Sequence, residues 1–338
     1  MNIKKIYRNI FYSFFIAILI LFVGLIISFV ITKVIPVDPV EKLLPLNYTT
    51  EQYNRLYHQL GYDQPLIVQF FRYIKDLFTK NWGRSYSIEI GKDVLTLMKE
   101  RFPRMIELLI LPIIVGLGVG ILFGKIAIKY KDKWADKVIR MHAILGISVP
   151  VFWLGLLFQY IFAYQLDWLP AIGFKSIKDS YEPITGFIIL DALIDGNIDL
   201  AIDAIRHYIL PISVLTIAIS SLITLKTRSA LEGKKTEKSI ISNSLIIGES
   251  FGLIIMFYIL IEINFGMKGI GEMLMDAIQE KDIFVLSGIL FALITTLVIV
   301  IFIANIIFSL YKYVTVESRT EHLVSYNKFD EEEVSNVG

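Results

Sequence analysis

The chain has 338 residues, of which 55% are hydrophobic and 19% charged, and its mean hydropathy is +0.63. This composition exceeds the apolar fraction of soluble domains and predicts an all-α polytopic membrane protein. A net charge of +1 gives no sign of nucleic acid as a partner, and the absence of cysteine excludes disulfides and thiolate chemistry. The four histidines lack metal-ligand spacing, so we expect no metal site, no cofactor and no catalytic residues.

The first predicted element is a membrane span over residues 10–35, after a basic N-terminus over residues 1–9. Its apolar run is longer than the core of a cleavable signal peptide, and no small-residue cleavage site follows. Pro36 and Pro39 end the helix. We therefore expect an uncleaved span whose basic flank places the N-terminus in the cytoplasm.

Residues 36–104 form a long polar segment with 10 basic and 8 acidic residues, which we expect to be an external subdomain. Aromatic residues run from Phe70 to Trp82. Such a run is typical of an amphipathic helix at the membrane interface or of a small packed core. The mixture of both charges favours the packed core.

Residues 105–311 are predicted to form the membrane core, with five further spans at about 106–128, 141–166, 208–225, 244–263 and 283–311. Gly116, Gly120 and Gly124 have the spacing that permits close helix packing, and Pro150 predicts a kink. Basic residues concentrate in 125–140 and 226–238, which indicates the cytoplasmic side. Both termini are then cytoplasmic, and the tail over 312–338, with its acidic end, is expected to be disordered.

Several motifs together resemble one known family. They occur in the order Leu60-Gly-Tyr-Asp-Gln-Pro65, Asn81-Trp-Gly-Arg-Ser85, Ser148-Val-Pro-Val-Phe-Trp-Leu-Gly155, Trp168-Leu-Pro-Ala-Ile-Gly173, Thr227-Arg-Ser229 and Lys268-Gly-Ile-Gly271. The chain resembles the permease subunits of peptide- and nickel-type ABC importers, over roughly residues 5–315. The resemblance implies six helices of the type I importer kind and one half of a translocation pathway for peptides, nickel or a similar small solute. It also implies a bacterial cell membrane, a second permease subunit, cytoplasmic ATP-binding subunits and an external solute-binding protein as partners.

One departure from the family concerns the cytoplasmic coupling helix, known as the EAA loop, between spans 4 and 5. Here Thr227 to Glu232 matches the lead-in, but about two dozen following residues are absent. The alternative function is therefore a scaffold or regulatory subunit that has lost coupling to an ATPase. The chain carries no ATP-binding motif of its own, so it is not expected to be an enzyme.

Seven residues are candidates for functional contacts. Glu249 and Glu262 are carboxylates in or beside a span, where ionisable groups are expensive and often functional. Glu262 could instead cap the following turn, and Pro150 could serve packing rather than the pathway. The basic residues of the shortened turn could face an ATPase or only set the topology; they are Arg228, Lys234, Lys235 and Lys238.

Overall fold

The computed structural model describes residues 3–176, 183–232 and 240–335, and every regular element within these ranges is helical. The helices are α1 (Ile3–Val34), α2 (Pro39–Leu43), α3 (Thr50–Leu60), α4 (Leu66–Phe78), α5 (Val94–Lys129), α6 (Trp134–Ser148), α7 (Val151–Phe158), a π-helical segment (Gln159–Gln165), α8 (Ile188–Ile194), α9 (Ile198–Glu232), α10 (Ile240–Phe265), α11 (Ile270–Gln279) and α12 (Ile283–Ser335).

Five of these helices are long and apolar enough to cross a membrane. A sixth span is obtained if α6 and α7 with the π-helical segment, which meet at a bend of 98°, count as one. The bend falls at Pro150, which has no backbone donor and holds Val149 in an extended conformation. The all-α polytopic fold predicted from the sequence is confirmed, and the predicted kink is a sharp break.

Several helices are longer than the predicted spans: α6 begins at Trp134 and α9 at Ile198, and two further boundaries change the predicted segments. Helix α5 begins at Val94, so the last residues of the predicted external segment extend the second span as helix. Asp93 starts it by accepting a hydrogen bond from the backbone of Thr96 at 3.2 Å. Helix α12 continues to Ser335, where we expected a disordered tail; no glycine or proline interrupts residues 289–335.

The chain divides into two compact units, and the larger comprises residues 26–236 and 252–291. Its centre is the pair α5 and α9. An added Cβ at Gly116, Gly120 or Gly124 would lie 2.6–2.7 Å from side-chain atoms of α9, whereas one at Gly118 would meet nothing. The glycine stripe therefore lets the two helices pack at close range, as its spacing predicted.

Helices α3 and α4 belong to the polar segment between the first two spans. Thr49 and Gln52 form a capping box that starts α3, and Gly61 ends it with a left-handed φ of 74°. On α4, Phe70 is buried, whereas Ile67, Phe71 and Phe78 are exposed. The packed-core interpretation therefore describes only one face of α4, and the other face is the amphipathic surface of the alternative.

The smaller unit comprises residues 1–25, 237–251 and 292–338. Asn305 of α12 donates a hydrogen bond to the Ser244 hydroxyl of α10 at 2.9 Å, an interhelical contact typical of polar residues within spans. Phe14 packs edge-to-face on Phe302, with the ring centroids 6.3 Å apart.

Candidate functional site

Glu262, in the last turn of α10, holds the start of α11. Its side chain is buried, with 1% exposure. The carboxylate accepts hydrogen bonds from the backbone N–H groups of Gly269 at 2.7 Å, Gly271 at 2.8 Å and Glu272 at 3.1 Å. A helix start leaves such donors unsatisfied, and Gly269 has no side chain to cap them. Glu262 caps α11 from a distance in sequence, so the structure favours the capping alternative over the pathway role.

Asp282 performs a similar task at the junction of α11 and α12. It is fully buried. Its Oδ2 accepts hydrogen bonds from the Ser85 hydroxyl at 2.7 Å and from the backbone N–H groups of Tyr86 at 3.1 Å and Ser87 at 3.2 Å. One carboxylate thus ties the turn after Trp82 to a segment almost 200 residues later in the chain.

Two arginines near the N-terminal end of α5 also bind the segment between α10 and α11. Arg101 donates to the Lys268 carbonyl at 2.9 Å and to the Glu89 carboxylate at 3.1 Å. Arg104 donates to the same carbonyl at 3.1 Å. Residues 81–104 and 264–282 are therefore joined at the N-terminal end of α5, and we call them the interlocked surface.

On the interlocked surface, neighbouring cations determine the charge of Glu89. Burial alone would raise the pKa of Glu89, but hydrogen bonds from Lys92 and Arg101 outweigh burial and lower that pKa below its usual value of 4.5. Glu89 therefore stays ionised, and its two cationic partners fix its orientation.

Glu107, on α5, holds α8 against the core. Its carboxylate accepts hydrogen bonds from the backbone N–H groups of Ile188 at 3.0 Å and Ile189 at 2.9 Å. The Tyr208 hydroxyl of α9 donates to it at 3.1 Å. All these partners belong to the protein, in agreement with a structural role.

Pro150 is exposed at the break between α6 and α7. Beyond it, Gln159 donates hydrogen bonds to the carbonyls of Asn264 at 3.1 Å and Ala171 at 2.8 Å. Asn264 in turn donates to the Phe152 carbonyl at 3.3 Å. The break therefore directs α7 and the π-helical segment onto the C-terminal end of α10.

Arg228, on α9, lies beside the C-terminal end of α5, at the opposite end of that helix from the interlocked surface. Its guanidinium donates to Asp136 at 3.3 Å and to Glu232 at 2.8 Å, and its side chain is 15% exposed. Asp136, fully buried, also binds Arg140 at 3.1 Å, and Lys131 binds Glu232 at 2.8 Å. Arg228, a candidate for facing an ATPase, joins α9 to the first turn of α6.

The remaining candidates are Glu249 and the three lysines of the shortened turn. Glu249 is exposed on α10. Lys234, Lys235 and Lys238 lie outside the described residues. Sequence reasoning missed the buried carboxylates Asp282 and Asp136; only the i, i+4 spacing of Asp136 with an arginine signalled the second.

Two family models match the chain. The model for the N-terminal part of binding-protein-dependent transport system membrane components matches residues 6–109. The model for the inner membrane component of binding-protein-dependent transport systems matches residues 116–232. The second match ends where the shortened turn begins.

Curated relatives extend the similarity towards the C-terminus. The probable D,D-dipeptide transport system permease protein DdpB of Escherichia coli is 31% identical over 76% of this chain and 82% of its own length. The dipeptide transport system permease protein DppB of Alkalihalophilus pseudofirmus is 28% identical over 84% and 92%. The di/tripeptide transport system permease protein DppB of Pseudomonas aeruginosa is 28% identical over 84% and 91%.

Proposed function

The chain belongs to the family of binding-protein-dependent transport system inner membrane components, and we propose that it forms half of the translocation pathway of an ATP-driven peptide importer. The observation that carries the proposal is that family models match most of residues 6–232 while relatives named as peptide permeases match about three quarters or more of the chain. As a permease it is a non-catalytic membrane subunit.

The proposed complex contains a second permease subunit, cytoplasmic ATP-binding subunits and an external solute-binding protein. The family description itself names dependence on a binding protein. We propose that the interlocked surface faces that protein. The hydrogen bonds of Glu262 and Asp282 support this, because they make two distant segments into one rigid surface able to receive a partner.

We propose that the permease lies in the bacterial cell membrane with both termini in the cytoplasm. The basic turn over residues 125–140 supports this orientation, since short cytoplasmic connections are rich in lysine and arginine. The C-terminal end of α5, with Arg228, is then cytoplasmic, and the N-terminal end, with the interlocked surface, is external.

Coupling to ATP hydrolysis is the unusual feature of this subunit. Arg228 already has two carboxylate partners within the chain, so little of it remains to bind an ATPase. We propose that the second permease supplies the main docking helix. Lys234, Lys235 and Lys238 then add only a long-range attraction to the ATP-binding subunits.

The test is uptake of a labelled dipeptide, a labelled tripeptide and nickel, each measured in cells that lack this chain, with and without the wild-type gene. Restored uptake, together with co-purification of a second permease and an ATP-binding subunit, is the expected result. If the partners co-purify but no peptide or nickel enters, the chain is the scaffold or regulatory subunit of the alternative. Nothing in the family matches favours that alternative.

A further inference from the structure

A cavity of about 450 Å³ opens between the end of α1, helices α3 and α4, and the start of α12. This volume lies within the range of about 300–1,000 Å³ typical of small-ligand sites. Its lining includes two cations, Lys33 and Arg72, and two carboxylates, Asp38 and Asp76. Lys33 and Arg72 are exposed and Asp38 and Asp76 are half-buried, so all four charged groups are accessible to a ligand in the cavity.

Lys33 points its ammonium group into an aromatic corner of the cavity. The Nζ atom lies 4.5 Å from the ring centroid of Tyr62 and 5.4 Å from that of Phe29. It donates a hydrogen bond to the neutral Gln69 side chain at 2.6 Å. In the part of the chain that the structure describes, no carboxylate forms an ion pair with Lys33. Its charge is oriented but not neutralised.

Arg72 is positioned by the turn after α3. Gly61 ends that helix with φ at 74°, and a Cβ there would lie 1.8 Å from the Arg72 guanidinium. The missing side chain of Gly61 therefore makes the space that the guanidinium occupies. Among the described residues, Arg72 has neither a hydrogen bond nor an ion pair. The cavity thus presents two cations with unused donors, which is the chemistry of an anion site.

The two carboxylates bind only neutral donors. Asp38 accepts a hydrogen bond from the Tyr53 hydroxyl at 2.7 Å and from the backbone of Val40 at 2.8 Å. Asp76 accepts one from the Asn81 amide at 3.2 Å. Neither has a lysine or arginine partner within the described ranges. Two cations and two carboxylates that leave each other unpaired suit a ligand carrying both charges.

The position of the cavity indicates which class of ligand with both a positive and a negative charge would bind there. Lys33 occupies the last turn of a membrane span, where lysine side chains reach the lipid headgroups. Helix α4 borders the same cavity, and its exposed apolar side chains Ile67, Phe71 and Phe78 lie on one face. An apolar face beside a charged cavity at this depth fits acyl chains next to a headgroup.

We propose that this cavity binds the headgroup of an aminophospholipid. The phosphate contacts Lys33 and Arg72, and the ammonium contacts Asp38 and Asp76. The bound lipid holds α3 and α4 against the ends of α1 and α12. A free dipeptide carries the same pair of charges, and inorganic phosphate carries the anion alone, so the experiment compares all three.

The test is native mass spectrometry of the full-length, delipidated chain titrated with a short-chain phosphatidylethanolamine. Lys33→Gln and Arg72→Gln should each weaken the tightest lipid binding about tenfold, the cost of about one charge-assisted hydrogen bond. Lys75→Gln removes an exposed charge of α4 outside the cavity and should leave the affinity within about twofold. All three substitutions change exposed side chains, so the melting temperatures should match the wild type.

Asp76→Asn separates a zwitterion site from a simple anion site. It should weaken phosphatidylethanolamine but not phosphatidylglycerol, which lacks the ammonium group. Equal lipid affinity in wild type, Lys33→Gln and Arg72→Gln would overturn the proposal. So would displacement of the lipid by equal concentrations of alanyl-alanine or inorganic phosphate, since the ligand would then be a free solute.

Discussion

Replacing Glu262 by glutamine tests whether one carboxylate fixes the turn between α10 and α11. Oε1 accepts from Gly269 and Glu272, and Oε2 accepts from Gly271. A glutamine oxygen can keep the first two bonds in weaker, neutral form, but its amide then opposes the third donor. A hydrogen bond to a charged group contributes about 1.5–3 kcal/mol. Losing one and weakening two should cost about 3 kcal/mol.

The assay is the melting temperature of the purified protein in detergent. At about 2–4 °C per kcal/mol, Glu262→Gln should melt about 6–12 °C below the wild type. Glu280→Gln is the control, because Glu280 is exposed in the same segment. Peptide uptake should fall with Glu262→Gln, since the interlocked surface loses its shape. If Glu262→Gln melts within 1 °C of Glu280→Gln, the carboxylate does not hold the turn.

Four further predictions follow from individual contacts. Asp136→Asn should lower the melting temperature by more than about 5 °C, because two arginines lose a buried partner; an unchanged melting curve would contradict this. Gly120→Ala should destabilise the protein by about 1–3 kcal/mol, whereas Gly118→Ala, which faces open space, should be neutral in the same melt. The lowered pKa of Glu89 contributes stability that is complete above pH 4.5 and lost as the pH falls through the folded pKa; Glu89→Gln should therefore flatten the loss of melting temperature below pH 4.5. Glu249→Gln should reduce peptide uptake at equal membrane abundance, and unchanged uptake would remove Glu249 from the pathway.

The sequence alone predicted the membrane spans, the close packing of α5 on α9 and the position of the break at Pro150. Each span is a run of about 20 apolar residues, so its existence follows from composition alone. The packing of α5 on α9 was readable too, because Gly116, Gly120 and Gly124 recur every four residues on one helix face. Pro150 gave the position of the break, though not its angle of 98°.

The sequence alone did not predict which groups bind the individual charged residues. The sequence around Glu262 fits either a pathway residue or a cap for α11. The two roles can be told apart only in the fold, which brings three backbone donors to its carboxylate. Asp282 meets residues almost 200 positions away, which no local pattern reports. For Arg228 the sequence does not show that Asp136 lies beside the C-terminal end of α9, so its ion pair could not be predicted.

The most direct measurement is the ATP hydrolysis rate of the complete complex, with this chain, the second permease and the ATP-binding subunits in proteoliposomes. Addition of the solute-binding protein with a bound peptide should raise the rate severalfold over either addition alone. A rate that does not change, although every partner is present and the peptide is bound, would contradict transport by this subunit.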